Sequence, residues 1–448
     1  MIRSLFHNRI FTTLYAAQTV NLLGDALTWV GLALLSYELA GAQGGSALLA
    51  TALTLRVAAF VLVSPWAGVL ADRIDRKQIL LTTHLCRFGL MSMLPFIQQS
   101  WQLLAIVFWL NVFNGVFSPT YKAMLPLVTG KADYPAAIAL SGTTYQLLGV
   151  LGPGIAGSVA MFVGVRQIFF LDALTFLIAS ILVFSIPNQL SLRDDNVTPL
   201  SKKNLLQEWG VGSLCLWRDR SLRYMLLLQL VAALSGAEIL VNTVSYVQSA
   251  LHLGKVEYGW VMAAYGIGAT IAAALLNRMS HRTNRLTILG LGTLLLTSVM
   301  LVAQGASLGI LMGLWTIAGM GQSVIDLSAQ TLIADRVSVE LQGRVYGAHF
   351  AWSHLWWVLS YPIAGGLAQS VSQHYFLISG AIALGIMILI AILSKLFPAS
   401  HQGVWHEHSH QHTNILTENH DHQHSLGDTA QHNHFHFHLI EHSIDSRK

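Results

Sequence analysis

The sequence predicts an all-α membrane protein: twelve transmembrane helices in two six-helix halves, followed by a disordered His-rich C-terminal tail. Three observations carry this. The 448 residues are 54% hydrophobic and only 10% charged, with a mean hydropathy of +0.55, too apolar for a soluble globular chain. Twelve apolar runs reach the roughly 20 residues that cross a bilayer. The longest polar break before the tail, 188–220, divides those runs six and six.

The expected spans are 10–39, 46–70, 78–97, 102–120, 136–163, 166–187, 221–249, 256–278, 286–304, 308–333, 343–370 and 374–397. The first is interrupted by Asn21 and Asp25 and is too long for a secretory leader, so it reads as a span. Loops 40–45, 98–101 and 305–307 carry no Lys or Arg. Loop 71–77 has Arg73, Arg76 and Lys77, and loop 277–285 has Arg278, Arg282 and Arg285. This alternation puts the basic loops and both termini in the cytoplasm of a cell (plasma or inner) membrane protein. Four regions follow: an N-terminal half 1–187, a cytoplasmic linker 188–220, a C-terminal half 221–397 and a cytoplasmic tail 398–448. Cys86 and Cys215 lie far apart in apolar surroundings and suggest neither a disulfide framework nor a Cys metal site. The net charge of +4 is scattered over loops, which excludes a nucleic-acid-binding stripe. The partners expected are the lipid bilayer, an ionic substrate and protons, with the protein a monomer.

An internal match supports the two halves: Val150-Leu151-Gly152-Pro153-Gly154-Ile155-Ala156-Gly157 of span five aligns with Val358-Leu359-Ser360-Tyr361-Pro362-Ile363-Ala364-Gly365 of span eleven. After span two the chain reads Gly68-Val69-Leu70-Ala71-Asp72-Arg73-Ile74-Asp75-Arg76-Lys77. This resembles the G-x-L-A-D-R-x-G-R-K signature of the major facilitator superfamily, with Asp75 in place of the usual Gly. The resemblance implies the major facilitator fold, rocking of two halves around a midplane site, and a conformational latch made by Gly68, Asp72, Arg73, Arg76 and Lys77. Gly149, Gly152, Pro153 and Gly157 resemble the glycine-proline motif of the superfamily's exporters. Small residues at that spacing also serve ordinary tight helix packing. Span set and tail together resemble the nickel-resistance permeases of that superfamily.

Ionisable groups in spans are costly and mark function or pairing. Asn21 and Asp25 in span one are one helical turn apart, as are Glu238 and Asn242 in span seven with the order reversed. Asp25 and Glu238 are the first candidates for cation ligands or proton carriers, with Asn21 and Asn242 as oxygen donors. The alternative for Asp25 is simple pairing with Arg56 of span two. Asp172, Asp326, His349 and His354 complete the set. The two histidines stand about 140° apart around a helix, so both cannot aim at one point, and a lone membrane histidine is often a packing residue. Arg87 reads as a partner of a nearby acid or as part of the latch, not as a ligand for a cation substrate, which it would repel.

The last 48 residues hold 13 of the 20 histidines. His406, His408, His410 and His412, then His420, His422 and His424, then His432, His434, His436 and His438 alternate with other residues. In an extended backbone residues i and i+2 point the same way, so neutral imidazoles at this spacing favour chelation. Without Cys or Met, the set suits nickel, cobalt, zinc or copper(II). These observations and the resemblance lead to an expected secondary exporter of a divalent metal, nickel first and cobalt or zinc next, in exchange for protons and conferring metal resistance. The competing expectation is a drug or siderophore exporter whose tail is a metal-responsive regulator. No resident cofactor is expected beyond the metal as substrate or tail ligand. There is no Walker-type loop, G-x-S-x-G elbow or H-E-x-x-H, so the chain reads as a non-enzyme.

Overall fold

A computed structural model describes residues 2–187, 202–276, 284–371, 374–396, 403–410 and 432–439. The helices are α1 (Ile2–His7), α2 (Arg9–Arg73), α3 (Arg76–Met93), α4 (Ser100–Val163), α5 (Ile168–Phe184), α6 (Lys202–Arg218), α7 (Arg220–Ser245), α8 (Lys255–Leu276), α9 (Arg285–Ala303), α10 (Leu308–Arg336), α11 (Val339–Ser370) and α12 (Tyr375–Leu396). α2 and α4 each hold two expected spans. The chain doubles back at Gly41 in α2 and at Gly130 in α4, both with φ of +69°, a left-handed value that glycine adopts without a Cβ clash. All twelve expected segments therefore fall on helix. Among the described residues, nine helical stretches are long and apolar enough to cross a membrane, or ten if the bent pair Ala136–Gly149 and Leu151–Val163 is one span. α5, at 17 residues, falls short of that length.

Polar caps repeat between the halves at one end of the bundle, called here the cap end. Asn8 Oδ1 accepts from Ile10 N and Phe11 N (both 3.1 Å) to start α2, while its amide donates to Val128 O (2.8 Å) in α4. Asp219 does the same for α7, accepting from Ser221 N (2.8 Å) and Leu222 N (2.9 Å), and its other oxygen meets Arg336 of α10 at 2.8 Å. Asp75 caps α3 by accepting from Lys77 N (2.8 Å), and Asn284 caps α9 by accepting from Leu286 N (3.0 Å). The departure at Asp75 thus has a local reason. Its φ of −53° needs no glycine, and an aspartate there satisfies an orphan N–H at the helix start.

At the opposite, far end, one hydrophobic core includes residues of both halves, among them Leu35, Leu53, Phe169, Val244, Trp315 and Phe376. Toward the cap end it divides into two cores, one around Phe11, Leu80 and Phe117 and one around Leu222, Ile333 and Val345. The halves are closed on each other at the far end. Ser46 bonds Ser245 (2.8 Å) and Tyr37 bonds Ser249 (2.7 Å) across this seam. Large apolar side chains such as Phe162, Phe96 and Trp101 remain exposed on the outer surface, where lipid would cover them.

The linker carries a helix of its own, and the tail differs from expectation. The 188–220 linker contains α6, which packs on α7 and α11; Trp352 Nε1 donates to Ser213 Oγ (3.2 Å) and Trp217 meets Trp352 edge-to-face. The tail, expected to be disordered, has β1 (Gly403–His410) antiparallel to β2 (His432–Leu439), with His406 opposite His436, His408 opposite His434 and His410 opposite His432. A two-residue alternation suits a strand as well as a flexible chelator, so the fold is not purely helical. His412, His420, His422 and His424 lie outside the described residues.

Candidate functional site

A cavity of about 340 Å³ lies between the halves. Its walls come from α2 (Asp25, Thr28, Trp29, Arg56), α3 (Arg87, Met91), α4 (Asn111, Asn114, Tyr145, Gly149), α5 (Phe176) and α8 (Tyr265, Gly266, Ala269, Thr270). Every charged group on these walls comes from the N-terminal half.

Arg87 organises that half. Fully buried, it donates from Nη1 to Asn114 Oδ1 (2.8 Å) and Asn21 Oδ1 (3.2 Å), from Nη2 to His84 Nδ1 (3.1 Å) and from Nε to Thr83 O (3.2 Å). The rings of Phe117 and Phe176 lie 4.3 and 4.7 Å from its guanidinium carbon. Asn21 then donates to Asp25 Oδ2 (3.1 Å), so a single amide joins the cavity carboxylate to the buried cation. Asp172, completely buried in α5, accepts from Thr28 and Thr175 behind the wall. Arg87 therefore holds neutral partners at hydrogen-bond distance and reaches Asp25 and Asp172 only electrostatically. Arg56 is not ion-paired with Asp25 within 4.0 Å; its guanidinium lies 3.7 Å above the Trp29 ring.

Asp25 lies on the cavity wall, and Asn21, outside the lining, donates to it. Glu238 and Asn242 do not line the cavity. Both are fully buried: Asn242 Nδ2 donates to Glu238 Oε1 (2.5 Å) and to Ala364 O of α11 (3.0 Å), and Ser379 of α12 adjoins the carboxyl. The reason is the packing of this face of α7 against α11 and α12. Asp326 lies outside the lining, held by Gln322 Nε2 at 3.2 Å to each oxygen. His349 Nε2 donates to Gln229 Oε1 (2.8 Å) and His354 Nδ1 donates to Phe350 O (2.8 Å), with the His354 ring stacked near Phe60 and Phe350, so both serve packing in this state. Among the described residues no group of three or more His, Cys, Asp or Glu could hold a metal ion.

Sequence reasoning missed Arg56 as a cavity group, and Asn111, Asn114, Tyr145 and Tyr265 altogether. Asn111 and Asn114, three residues apart in an apolar run, were a usable signal for one face of span four.

Within the glycine-proline motif, Gly157 packs at the far-end seam and Gly152 packs inside its own half. A Cβ on Gly157 would lie 2.8 Å from Lys255 O and 2.9 Å from Gly259 Cα of α8, and one on Gly152 would strike Ala26 of α2. In the aligned position of α11, a Cβ on Gly365 would lie 2.7 Å from Ala50 Cβ and 3.2 Å from Ala47 Cα. Equivalent glycines thus seat each half on the other. Of the latch residues, Lys77 Nζ donates to Ile186 O (2.5 Å) just beyond α5, inside its own half, and Arg76 opens α3. The side chains of Gly68, Asp72 and Arg73 lie outside the described set.

The profile of the Major Facilitator Superfamily matches residues 14–237 and again 225–416, one match per half. An uncharacterized MFS-type transporter, YfiS of Bacillus subtilis, is 26% identical over 411 residues, covering 88% of this chain and 96% of the relative. Multidrug resistance protein MdtG of Klebsiella pneumoniae is 26% identical over 343 residues, covering 75% of this chain and 80% of that protein. Among solved structures, the nucleoside transporter NupG superposes with a TM-score of 0.70 at 12% identity, covering 86% of this chain and 100% of NupG. A bacterial homologue of the human lysosomal transporter Spinster gives 0.66 at 13% identity, with coverage of 86% and 95%.

Proposed function

The chain belongs to the major facilitator superfamily, and we propose that it is a plasma-membrane exporter of small organic molecules, driven by exchange for protons, with its tail as a metal-responsive regulator. One observation carries this: the cavity between the halves is a mixed aromatic and polar chamber whose size suits an organic molecule, with a single carboxylate, Asp25, on its wall. The name of its multidrug-resistance relatives points the same way. Two wall guanidiniums, Arg56 and Arg87, would repel a bare divalent cation, and the chamber offers it no three-ligand set.

The steps follow from the geometry. The far end is sealed, and the two cores part toward the cap end. With the cap end in the cytoplasm, as the loop charges imply, this is the state that loads substrate from inside. Asp25 can hold a proton or face a cationic group of the substrate, and that competition is the exchange. Rocking that parts the Gly157 and Gly365 contacts would then open the far end. The resident chemistry is binding and proton transfer, with no catalytic step.

A second reading, efflux of nickel, cobalt or zinc, is favoured by the register that sets His406, His408 and His410 opposite His436, His434 and His432. Inverted vesicles with an inside-acid gradient separate the two. Gradient-dependent uptake of a fluorescent drug-like dye, insensitive to ending the chain after Pro398 when metal is absent, supports organic export. Uptake of nickel, cobalt or zinc with no dye uptake overturns it in favour of the second reading.

A further inference from the structure

The charges inside the cavity are unusual in what they leave unused. Among the described residues Arg56 donates no hydrogen bond and has no ion pair within 4.0 Å, although it lies within electrostatic reach of Tyr361, Asp25 and Tyr145. Stacking on Trp29 occupies one face of the guanidinium and leaves its N–H edge, the part that recognises a planar oxyanion in a forked pair. Arg87, the other guanidinium on the cavity wall, is served by Asn21 and Asn114, and at the two ends of the bundle Arg166 is served by Glu38 and Ile97 O and Arg336 by Asp219. An unserved cation at membrane depth is expensive and marks a ligand or ion pathway.

Asp25 is equally underused. Its one protein hydrogen bond comes from Asn21 to Oδ2, and it has no ion pair within 4.0 Å among the described residues. A carboxylate and a guanidinium thus face one chamber without neutralising each other, and aromatic rings fill the wall around them. A purely cationic molecule meets repulsion from Arg56 and Arg87, a purely anionic one meets Asp25, and a dipolar one is matched at both ends.

We propose that the cavity takes an amphoteric aromatic molecule, whose carboxylate or equivalent oxyanion docks on Arg56 while its basic nitrogen docks on Asp25. This rests on the organic-exporter reading and names its substrate class. It also fits exchange for protons, because the basic nitrogen and the proton compete for Asp25 while the oxyanion end supplies affinity that the proton cannot displace.

The test is equilibrium binding of three probes to the purified full-length protein in nanodiscs: 9-aminoacridine-4-carboxylate, its methyl ester, and acridine-4-carboxylate. The dipolar probe is expected to bind about tenfold or more tightly than either relative, the scale of one hydrogen bond between charged groups. In Arg56→Gln the acid-to-ester ratio should fall to near one while ester affinity is kept. In Asp25→Asn the preference for the amine should vanish. An ester that binds as tightly as the acid overturns the proposal, and that comparison needs no variant to fold. Binding of none of the three, or a ratio unmoved by Arg56→Gln, overturns it too. Selective binding without gradient-driven uptake in vesicles would sink the exporter reading and leave this proposal standing; uptake of cations and dipolar probes alike would do the reverse.

Discussion

Gly157→Ala is a one-methyl change whose consequence can be worked from the seam. The new Cβ would sit 2.8 Å from Lys255 O, 2.9 Å from Gly259 Cα and 3.3 Å from Gly259 N, all backbone atoms that no rotamer change can move aside. Overpacking of this kind costs about 1–3 kcal/mol. Under the rocking proposed above, α4 and α8 part here when the far end opens, so the cost falls on the closed state and multiplies the open fraction about 5- to 150-fold. The readout is the rate at which a membrane-impermeant maleimide labels Ser46→Cys, a seam position that is fully buried against Ser245, in a background with Cys86 replaced. Gly149→Ala is the matched control: it is the same change in the same motif, and its Cβ would meet nothing within 4 Å. Labelling should accelerate in Gly157→Ala and stay at the parent rate in Gly149→Ala. If both variants label at the parent rate while remaining folded, the glycines do not set the closure, and the reasoning from Cβ clearance fails.

Other outcomes follow from the caps and the linker. Arg336→Met would take the cationic partner from Asp219 Oδ2, whose side chain is 1% exposed, while Ser221 N and Leu222 N still donate to Oδ1; breaking a buried pair costs about 3–5 kcal/mol, and the purified protein should melt well below the parent. Lys77→Met removes the charged donor to Ile186 O and the ammonium over the Phe184 ring (5.5 Å) and should lower the melting temperature by an amount set by the roughly 1.5–3 kcal/mol of a hydrogen bond from a charged group; an unchanged melting temperature would mean that Lys77 does not hold the end of α5. Burial pushes the Cys215 thiol of α6 up to about 12, so between pH 7 and 9 it stays protonated and should resist maleimide until the protein is denatured. Fast labelling of Cys215 in the native protein would show that α6 leaves its seat on α11.

Hydropathy set the expected segments on helix, nine or ten of which are long and apolar enough among the described residues to cross a membrane, because apolar runs of span length have few other uses, and the repeat between spans five and eleven was visible as a string of small residues. What it could not supply was facing. Asp25 and Glu238 looked equivalent, one turn from an amide in the first span of each half, yet Asp25 opens on the cavity and Glu238 is sealed against α11 and α12. That difference is set by which helix packs on which face, a tertiary fact with no local signature. Arg56 was legible only as a possible partner of Asp25, since an unserved guanidinium is defined by what surrounds it. Asp75 looked like a departure from a glycine pattern, whereas the N-cap rule applied to the start of α3 would have explained it. The alternating histidines were read as flexible donors, although the same period of two is that of a strand.

The asymmetry of the cavity leads to one more expectation. Asp25, Arg56 and Arg87 stand on the first three spans, and the C-terminal half contributes Tyr265, Gly266, Ala269 and Thr270, a wall without charge. When two halves rock as bodies, groups on the same half keep their spacing, so the charged part of the site is carried intact from one state to the other. Contacts that change are those at the seam, such as Gly157 on Gly259. A ligand held mainly by the charged groups therefore has nearly equal intrinsic affinity for both states, and such a ligand cannot shift their balance by itself. The consequence is measurable: Gly157→Ala should change the maleimide rate at Ser46→Cys strongly while leaving the dissociation constant of 9-aminoacridine-4-carboxylate within about threefold of the parent, well under the tenfold that 1.4 kcal/mol would give. A large loss of affinity in Gly157→Ala would mean that the uncharged wall of α8 supplies much of the binding, and that closure, rather than the charges of the first three spans, creates the site.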